Sequence, residues 1–429
     1  MKPFAPVFGL PLGISSTFWF FIGLIRYIAE KINLFRGNDI YSAPSKLKRR
    51  NVACIVAAHN EELVIRKCIR FLKASVSAKQ IYVVSDGSND KTYRRARMEN
   101  CHVSKLSPGR GKAKAIIYAI KRNHLFDRYK LIFIVDADTL IDKEFVTRAL
   151  PLFNDPSVSV VYGSAKIQWP PHIIPRLRFY YVAYRERLNR MLQYFFAYGQ
   201  TWKYTNVSYV IPGFATIYRS KILRRLPIDT PGLLIEDFNT AFQLHKKKLG
   251  KIFYNPKCIG WDQHPETLTD YWKQVKRWNI GFFQTVRHNG FWPSLFWLAL
   301  LIFTIEIFIN SIFIIMLPLL ILYLLAPWIT NQIPLMSVFT NIYQQIGPYQ
   351  YVTLIALFIS FFIIDYGLTV LIGLINKKPQ FIIYGLFFVF MHYVTSLILM
   401  SSLIPGFFSK SAGRWISPKR SKEQSSVKL

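Results

Sequence analysis

The 429-residue sequence predicts a mostly parallel α/β domain inserted between an N-terminal membrane helix and a group of C-terminal membrane helices. Three observations predict it. Between residues 51 and 150, short apolar runs ending in polar residues alternate with helix-spaced segments, as in a sheet covered on both faces. Residues 291–328 hold one acid and no base, over a length well beyond what one helix needs to cross a hydrocarbon layer of roughly 30 Å. Residues 12–29 (LGISSTFWFFIGLIRYIA) form a shorter apolar run with no basic leader before it and no small-residue cleavage pattern after it, which favours a retained helix over a cleaved signal.

The expected organisation follows: a membrane helix in 1–35, a soluble domain in 36–290, membrane or interface helices in 291–408 and a basic, flexible tail in 409–429. Arg26 is expected to snorkel toward a headgroup. The basic flank Lys31, Arg36, Lys46, Lys48, Arg49 and Arg50 places the domain in the cytoplasm of an integral cell-membrane protein. Residues 291–328 read either as two crossings turning near Asn310–Ser311 or as an interface helix followed by one crossing, with further candidates at 350–375 and 380–406. Lys377–Lys378 and the basic tail both favour the cytoplasmic side, so the charge rule leaves four or five crossings. Glu306 and Asp365, acids inside apolar runs, are expected to face the bundle or a polar path.

Fifty-five Lys+Arg against 23 Asp+Glu give a net charge of +32. The bases are spread through the domain and the membrane flanks, without a compact nucleic-acid-binding motif, so anionic lipid and a diphosphate-bearing substrate fit better than nucleic acid. Cys54, Cys68, Cys101 and Cys258 lack metal-ligand spacing and read as reduced or buried thiols, and the eight histidines are scattered.

Within the domain, NVACIVAAHNEE, QIYVVSDGSND and KLIFIVDADTLIDKE each read as a strand ending in polar residues. Ligands gather at the carboxyl ends of strands in such sheets, where Asn60, Glu61, Asp86, Asp136 and Asp138 fall. Asp136-x-Asp138 suits a hard divalent ion that shares phosphate oxygens, and also suits a solvated turn. Asp86 is placed to hold a ribose or uracil, or to form a turn. Lys112, in PGRGKAKA, can reach a phosphate, although the pattern is not a Walker loop. Glu236 and Asp237 open an amphipathic helix, either as helix-start charges or with Asp237 as a general base. Gln274, Arg277 and Trp278 share one face of a helix beginning near Asp270. Arg277 can grip a diphosphate and Trp278 can stack on a sugar, and together they can also anchor an interface.

These motifs together resemble membrane-bound family 2 glycosyltransferases of the GT-A fold, above all the processive cellulose, chitin, hyaluronan and poly-N-acetylglucosamine synthases. The resemblance covers roughly residues 50–290. It implies that Ala58, Asn60, Glu61 and Asp86 form nucleotide-sugar entry motifs, that Lys112 is the basic residue after the second strand–helix unit, that Asp136 contacts the nucleotide and that Asp138 binds Mg²⁺ or Mn²⁺. It implies that Asp237, beside Glu236, is the catalytic base, and that Gln274, Arg277 and Trp278 are the QxxRW residues lining the acceptor and diphosphate region. Ile235 stands where the family's TED motif has threonine. IPGFATIY, with Gly213 to Thr216, resembles the acceptor-end loop but lacks the Cys-Gly-Ser of cellulose synthases. PETLTDYWKQVKRW is closer to N-acetylglucosaminyl polymerases and chitin-oligosaccharide synthases. The implied activity is inverting transfer from a UDP-sugar, with UDP-N-acetylglucosamine favoured, onto a growing β-linked polysaccharide; the alternative is transfer of one sugar to a lipid or polyprenyl phosphate. The implied partners are the nucleotide-sugar donor, a carbohydrate or lipid-linked acceptor, membrane lipids and an accessory secretion subunit. A transporter or structural role leaves the acids and Arg277 without a shared reason.

Overall fold

A computed structural model describes residues 14–37, 39–41, 43–169, 177–325 and 350–409. The basic tail from residue 410 and the end of the 291–328 run lie outside them.

Eight strands form one sheet: β1 (Val52–Ala58), β2 (Ile81–Asp86), β3 (His102–Leu106), β4 (Leu131–Asp136), β5 (Leu140–Ile141), β6 (Val158–Ile167), β7 (Ala215–Arg219) and β8 (Lys251–Asp262). Their order is β3-β2-β1-β4-β7-β6-β8-β5. β3, β2, β1 and β4 run parallel, and β1 and β2 are buried throughout, which is why they read as unbroken apolar runs. β7 is antiparallel to both β4 and β6, β6 and β8 are parallel, and β5 closes the edge antiparallel to β8. The sheet is GT-A-like and mixed, with the predicted parallel half intact.

Alternate side chains of each strand feed two cores. Cys54, Val56, Val83, Phe133 and Val135 pack on one face with the helix Ile65–Ser75, and Ile55, Tyr82, Ile132 and Ile134 pack on the other with Lys112–Arg122. Pairing registers Ala57 with Asp136 and Ala58 with Ser85, so the carboxyl ends of β1, β2 and β4 share one edge.

Leu295–Leu325 is a single helix that contains Pro318, so the alternative of a turn near Asn310–Ser311 is replaced by a continuous helix. Nothing at Asn310–Ser311 breaks it, because neither residue removes a backbone donor as proline does. Among the described residues, two helical segments, Leu295–Leu319 and Phe388–Phe408, are long and apolar enough to cross a membrane, and Ile359–Ile375 is a shorter apolar one. The expected N-terminal helix spans Ile14–Phe35.

Arg26 corrects one expectation. Instead of snorkelling it is 1 % exposed, pairs with Glu30 at 2.8 Å, and donates to the carbonyls of Tyr198 (3.0 Å) and Tyr254 (3.2 Å). Its guanidinium also stacks over Tyr198, Trp202 and Phe253. The N-terminal helix is thereby pinned to the sheet domain by a charge that is costly to bury unless fully partnered.

Glu306 and Asp365, the acids inside apolar runs, both contact other protein groups. Glu306 Oε1 accepts from the Ser15 N–H at 2.8 Å. Asp365 pairs with Arg187 of the helix Leu177–Leu192 and with His392 Nε2 at 3.1 Å, and His392 Nδ1 meets the Tyr184 hydroxyl at 2.9 Å.

Candidate active site

Three elements bring charge to one point. Gly111, at φ +95°, turns the chain so that Lys112 opens its helix, and the Asp86 carboxylate fixes this turn by accepting from the Arg110 and Gly111 N–H groups, each at 2.7 Å. Lys112 Nζ lies 2.9 Å from Asp136 Oδ1, at the end of β4, and 2.9 Å from Glu236 Oε1, at the start of the helix Glu236–Lys246. The loop before β7 then crosses this edge: Phe214 O accepts from the Asp136 N–H at 3.0 Å and the Gly213 N–H donates to Asp237 Oδ2 at 2.9 Å. A Cβ on Gly213 would stand 2.6 Å from Asp237 Oδ1 and 2.8 Å from Lys112 Nζ, so the close approach requires glycine.

The electrostatics are those of a shared buried charge. Burial works against the Lys112 ammonium, but Asp136, Glu236 and Asp237 outweigh it and hold its pKa well above the ordinary lysine value. Burial would raise Glu236, yet Lys112, with Arg277 assisting, holds it below the carboxylate range. Burial raises Asp136 against the pull of Lys112. Burial also pushes Asp237 up to about 7, with Lys112 opposing and Glu236 and Asp136 adding to the rise. Two neighbouring carboxyls pushed in opposite directions form an acid–base arrangement.

This cluster lines a cavity of about 860 Å³ together with Glu61, Asp138, Gln274, Arg277 and Trp278. Glu61 is 1 % exposed and its N–H donates to Thr92 Oγ1 at 2.8 Å. The other predicted residues fall elsewhere. Ala58 is fully buried at the end of β1, and Asn60, at φ 55°, braces the neighbouring turn by accepting from the Asn89 N–H at 2.9 Å. Asp86 is absent from the cavity wall and 1 % exposed, its carboxylate turned to the Lys112 loop.

Gln274, Arg277 and Trp278 project from the helix Leu268–Asn289, whose start is capped by Thr267 accepting from the Asp270 N–H at 3.1 Å. Gln274 Oε1 is buried without a hydrogen-bond partner. Trp278 carries the Arg185 guanidinium 4.6 Å over its ring.

Sequence reasoning missed Arg185, Asn189, Asp262 and His264, which also line the cavity. The polar run Asp262-Gln263-His264, just ahead of the QxxRW helix, was the available signal. Arg185 and Asn189 share a helix too rich in Tyr and Arg for any one of them to stand out.

Among the described residues no three His, Cys, Asp or Glu side chains group as a complete metal site. Asp136 and Asp138 still fit Mg²⁺ or Mn²⁺, because such ions take few protein carboxylates and complete their shell with substrate phosphate oxygens and water.

The sheet and its acidic edge define a GT-A-like transferase domain joined to apolar helices. Residues 53–226 match the model of glycosyl transferase family 2. It is 23 % identical over 301 residues to a poly-beta-1,6-N-acetyl-D-glucosamine synthase of Staphylococcus epidermidis, across 68 % of this chain and 67 % of that one. It is likewise 23 % identical over 292 residues to the synthase of the same name from Staphylococcus aureus strain COL, across 65 % of each chain. The chain thus spans about two thirds of the length of these relatives. Among solved structures, a mannosyltransferase from Pyrobaculum calidifontis in complex with GDP-Man and Mn²⁺ aligns with a TM-score of 0.48 and 14 % identity, over 93 % of this chain and all of that one. Glucosyl-3-phosphoglycerate synthase from Mycobacterium tuberculosis, with Mn²⁺, UDP-glucose and glycerol 3-phosphate, aligns with a TM-score of 0.36 and 17 % identity, over 60 % and 85 %.

Proposed function

We propose that the protein is an inverting glycosyltransferase of the membrane that uses a UDP-sugar, UDP-N-acetylglucosamine by preference, to extend a β-linked glycan. The observation that carries this reading is the single cavity in which Lys112, Asp136, Glu236 and Asp237 meet Gln274, Arg277 and Trp278.

Arg277 and Lys112 bind the donor diphosphate, and Trp278 offers a flat surface to a sugar. Asp237 accepts the proton of the acceptor hydroxyl as that oxygen bonds to the donor's anomeric carbon. The bond from that carbon to the diphosphate breaks with its electron pair leaving on UDP, so the configuration inverts. Mg²⁺ or Mn²⁺, held by Asp138 with Asp136, would neutralise charge on the departing diphosphate. The basic flank from Lys31 to Arg50 supports a cytoplasmic catalytic domain supplied with soluble donor.

The test is incubation of the full chain in lipid nanodiscs with a panel of UDP-sugars, followed by UDP detection and product sizing. UDP release with UDP-N-acetylglucosamine and a β-linked product is expected. Absence of UDP release with every donor rejects the reading.

A further inference from the structure

The helix Leu177–Leu192 carries Arg185, Arg187 and Arg190, all buried, and they are not partnered alike. Arg187 pairs with Asp365, while Arg190 lies 3.5 Å from Glu186 and donates to Gln193 Oε1 at 3.0 Å. Arg185 stands in the cavity wall, 7 % exposed, and forms no ion pair among the described residues. Its Nε is buried without a hydrogen-bond partner. Burial pushes its pKa below the ordinary arginine value, with Tyr271 and Asp262 opposing. A charge this weakly compensated is costly to bury, and the contact that offsets the cost is the face of the Trp278 ring, 4.6 Å from the guanidinium carbon.

Such a stack constrains both groups. Trp278 is half-buried in the same cavity wall, and its ring turns about two side-chain torsions. A planar guanidinium lying over it penalises that rotation, the more so because the contact is shielded from water. The stack also joins two separately held elements. Arg185 comes from a helix fixed to the C-terminal helices through Arg187 and through the Tyr184 hydroxyl, 2.9 Å from His392 Nδ1. Trp278 comes from Leu268–Asn289, whose Tyr271 packs edge-to-face on Tyr184 with ring centroids 6.0 Å apart. The orientation of the QxxRW tryptophan is therefore set from outside its own helix.

Resting on the glycosyltransferase reading, we propose that Arg185 is a positioning residue for the acceptor: its guanidinium, stacked on Trp278, locks the indole in the plane against which the acceptor sugar is held. It acts through Trp278 and not by touching the reacting atoms. Arg185 then governs acceptor affinity and leaves donor affinity to Lys112 and Arg277. Lysine cannot replace it, because an ammonium keeps the charge but lacks the flat surface that stacks.

The experiment uses the full chain in nanodiscs with UDP-N-acetylglucosamine and, as acceptor, the short fraction of the glycan that the wild type itself makes. Arg185→Met, which keeps an unbranched apolar stem, and Arg185→Lys should each raise the acceptor KM about tenfold and change the donor KM less than about twofold. A merely structural role would move both. The second arm is a double-substitution cycle on equilibrium binding of the same glycan. Arg185→Met should weaken binding about tenfold in the wild-type background and less than about twofold in the Trp278→Leu background. Equal weakening in the two backgrounds, parallel rises in donor and acceptor KM, or an unchanged acceptor KM in Arg185→Lys overturns the proposal. Absence of any glycan from the wild type overturns the underlying activity instead, so the two failures are distinguishable.

Discussion

The Gly213 N–H donates to Asp237 Oδ2 at 2.9 Å, so the loop before β7 and the first turn of the Glu236 helix hold one carboxylate from two sides. A methyl group added at Gly213 would meet Asp237 Oδ1 and Lys112 Nζ, the mobile ends of two side chains, at 2.6 and 2.8 Å. Those ends can move aside without unfolding the loop. Gly213→Ala is therefore expected to fold normally but to lower kcat about 100-fold, the scale of an ångström-sized misplacement of a reacting group. UDP-release kinetics beside thermal unfolding check this; a loss of folding with no change in kcat among the folded molecules would contradict it.

Burial places Asp237 near pH 7, and a base works only when deprotonated. The rate of UDP release should fall as pH drops through about 7, giving an acid limb in kcat/KM far above that of an ordinary aspartate. The effect on stability has the opposite sign. The folded state holds this proton more tightly than the unfolded state does, so the contribution is complete below about pH 4 and is lost as pH rises through about 7. Asp237→Asn, which mimics the protonated form, should thus be inactive yet at least as heat-stable as wild type at pH 8. A flat rate profile from pH 5 to 8 would remove Asp237 from the role of base.

Chelation of divalent ions should stop UDP release, and added Mn²⁺ or Mg²⁺ should restore it in wild type. In Asp138→Ala the ion should no longer restore the rate, because one of the two carboxylates after β4 is missing. Asp138 is 9 % exposed and its carbonyl accepts from Gln168 Nε2 at 3.0 Å, a bond that the substitution leaves in place. Full activity of the chelated enzyme would reject a metal role.

The parallel half of the sheet was legible because β1, β2 and β4 are buried on both faces and so carry apolar runs up to the polar residues at their carboxyl ends. β8 was not. Its register slips where Gly163 pairs with Asn255 and the next residue, Ser164, pairs with Ile259, leaving Pro256, Lys257 and Cys258 in a bulge. Proline and lysine there erase the alternation that marks a strand. Most of the acidic site was readable because each acid follows a strand or opens a helix. The role of Asp86 was harder to read, since a sequence shows an aspartate in a turn but not that its carboxylate faces the backbone of a second loop 24 residues away. Arg185 escaped for the same reason: its value lies in stacking on Trp278, 93 positions along the chain.

Arg187 and Asp365 form an ion pair with side chains 2 % and 7 % exposed, joining the Leu177–Leu192 helix to an apolar helix of the C-terminal group. Thr369 Oγ1 accepts from Arg187 Nε at 3.2 Å and His392 Nε2 lies 3.1 Å from Asp365 Oδ2, so neither charge depends on the other alone. Removing one partner leaves a buried charge only partly compensated, which commonly costs about 3–5 kcal/mol. Arg187→Met and Asp365→Leu should each lower the unfolding temperature in nanodiscs markedly. The double variant removes both charges and should recover much of the loss, since apolar groups of similar size pack well in place of a buried pair. Thr395, which meets the Tyr184 hydroxyl at 3.4 Å, also contacts Tyr271 of the QxxRW helix, so the single variants should raise the acceptor KM as well as lower stability. Additive losses in the double variant would show that the two residues act independently, and the pair would then not be what holds this helix against the domain.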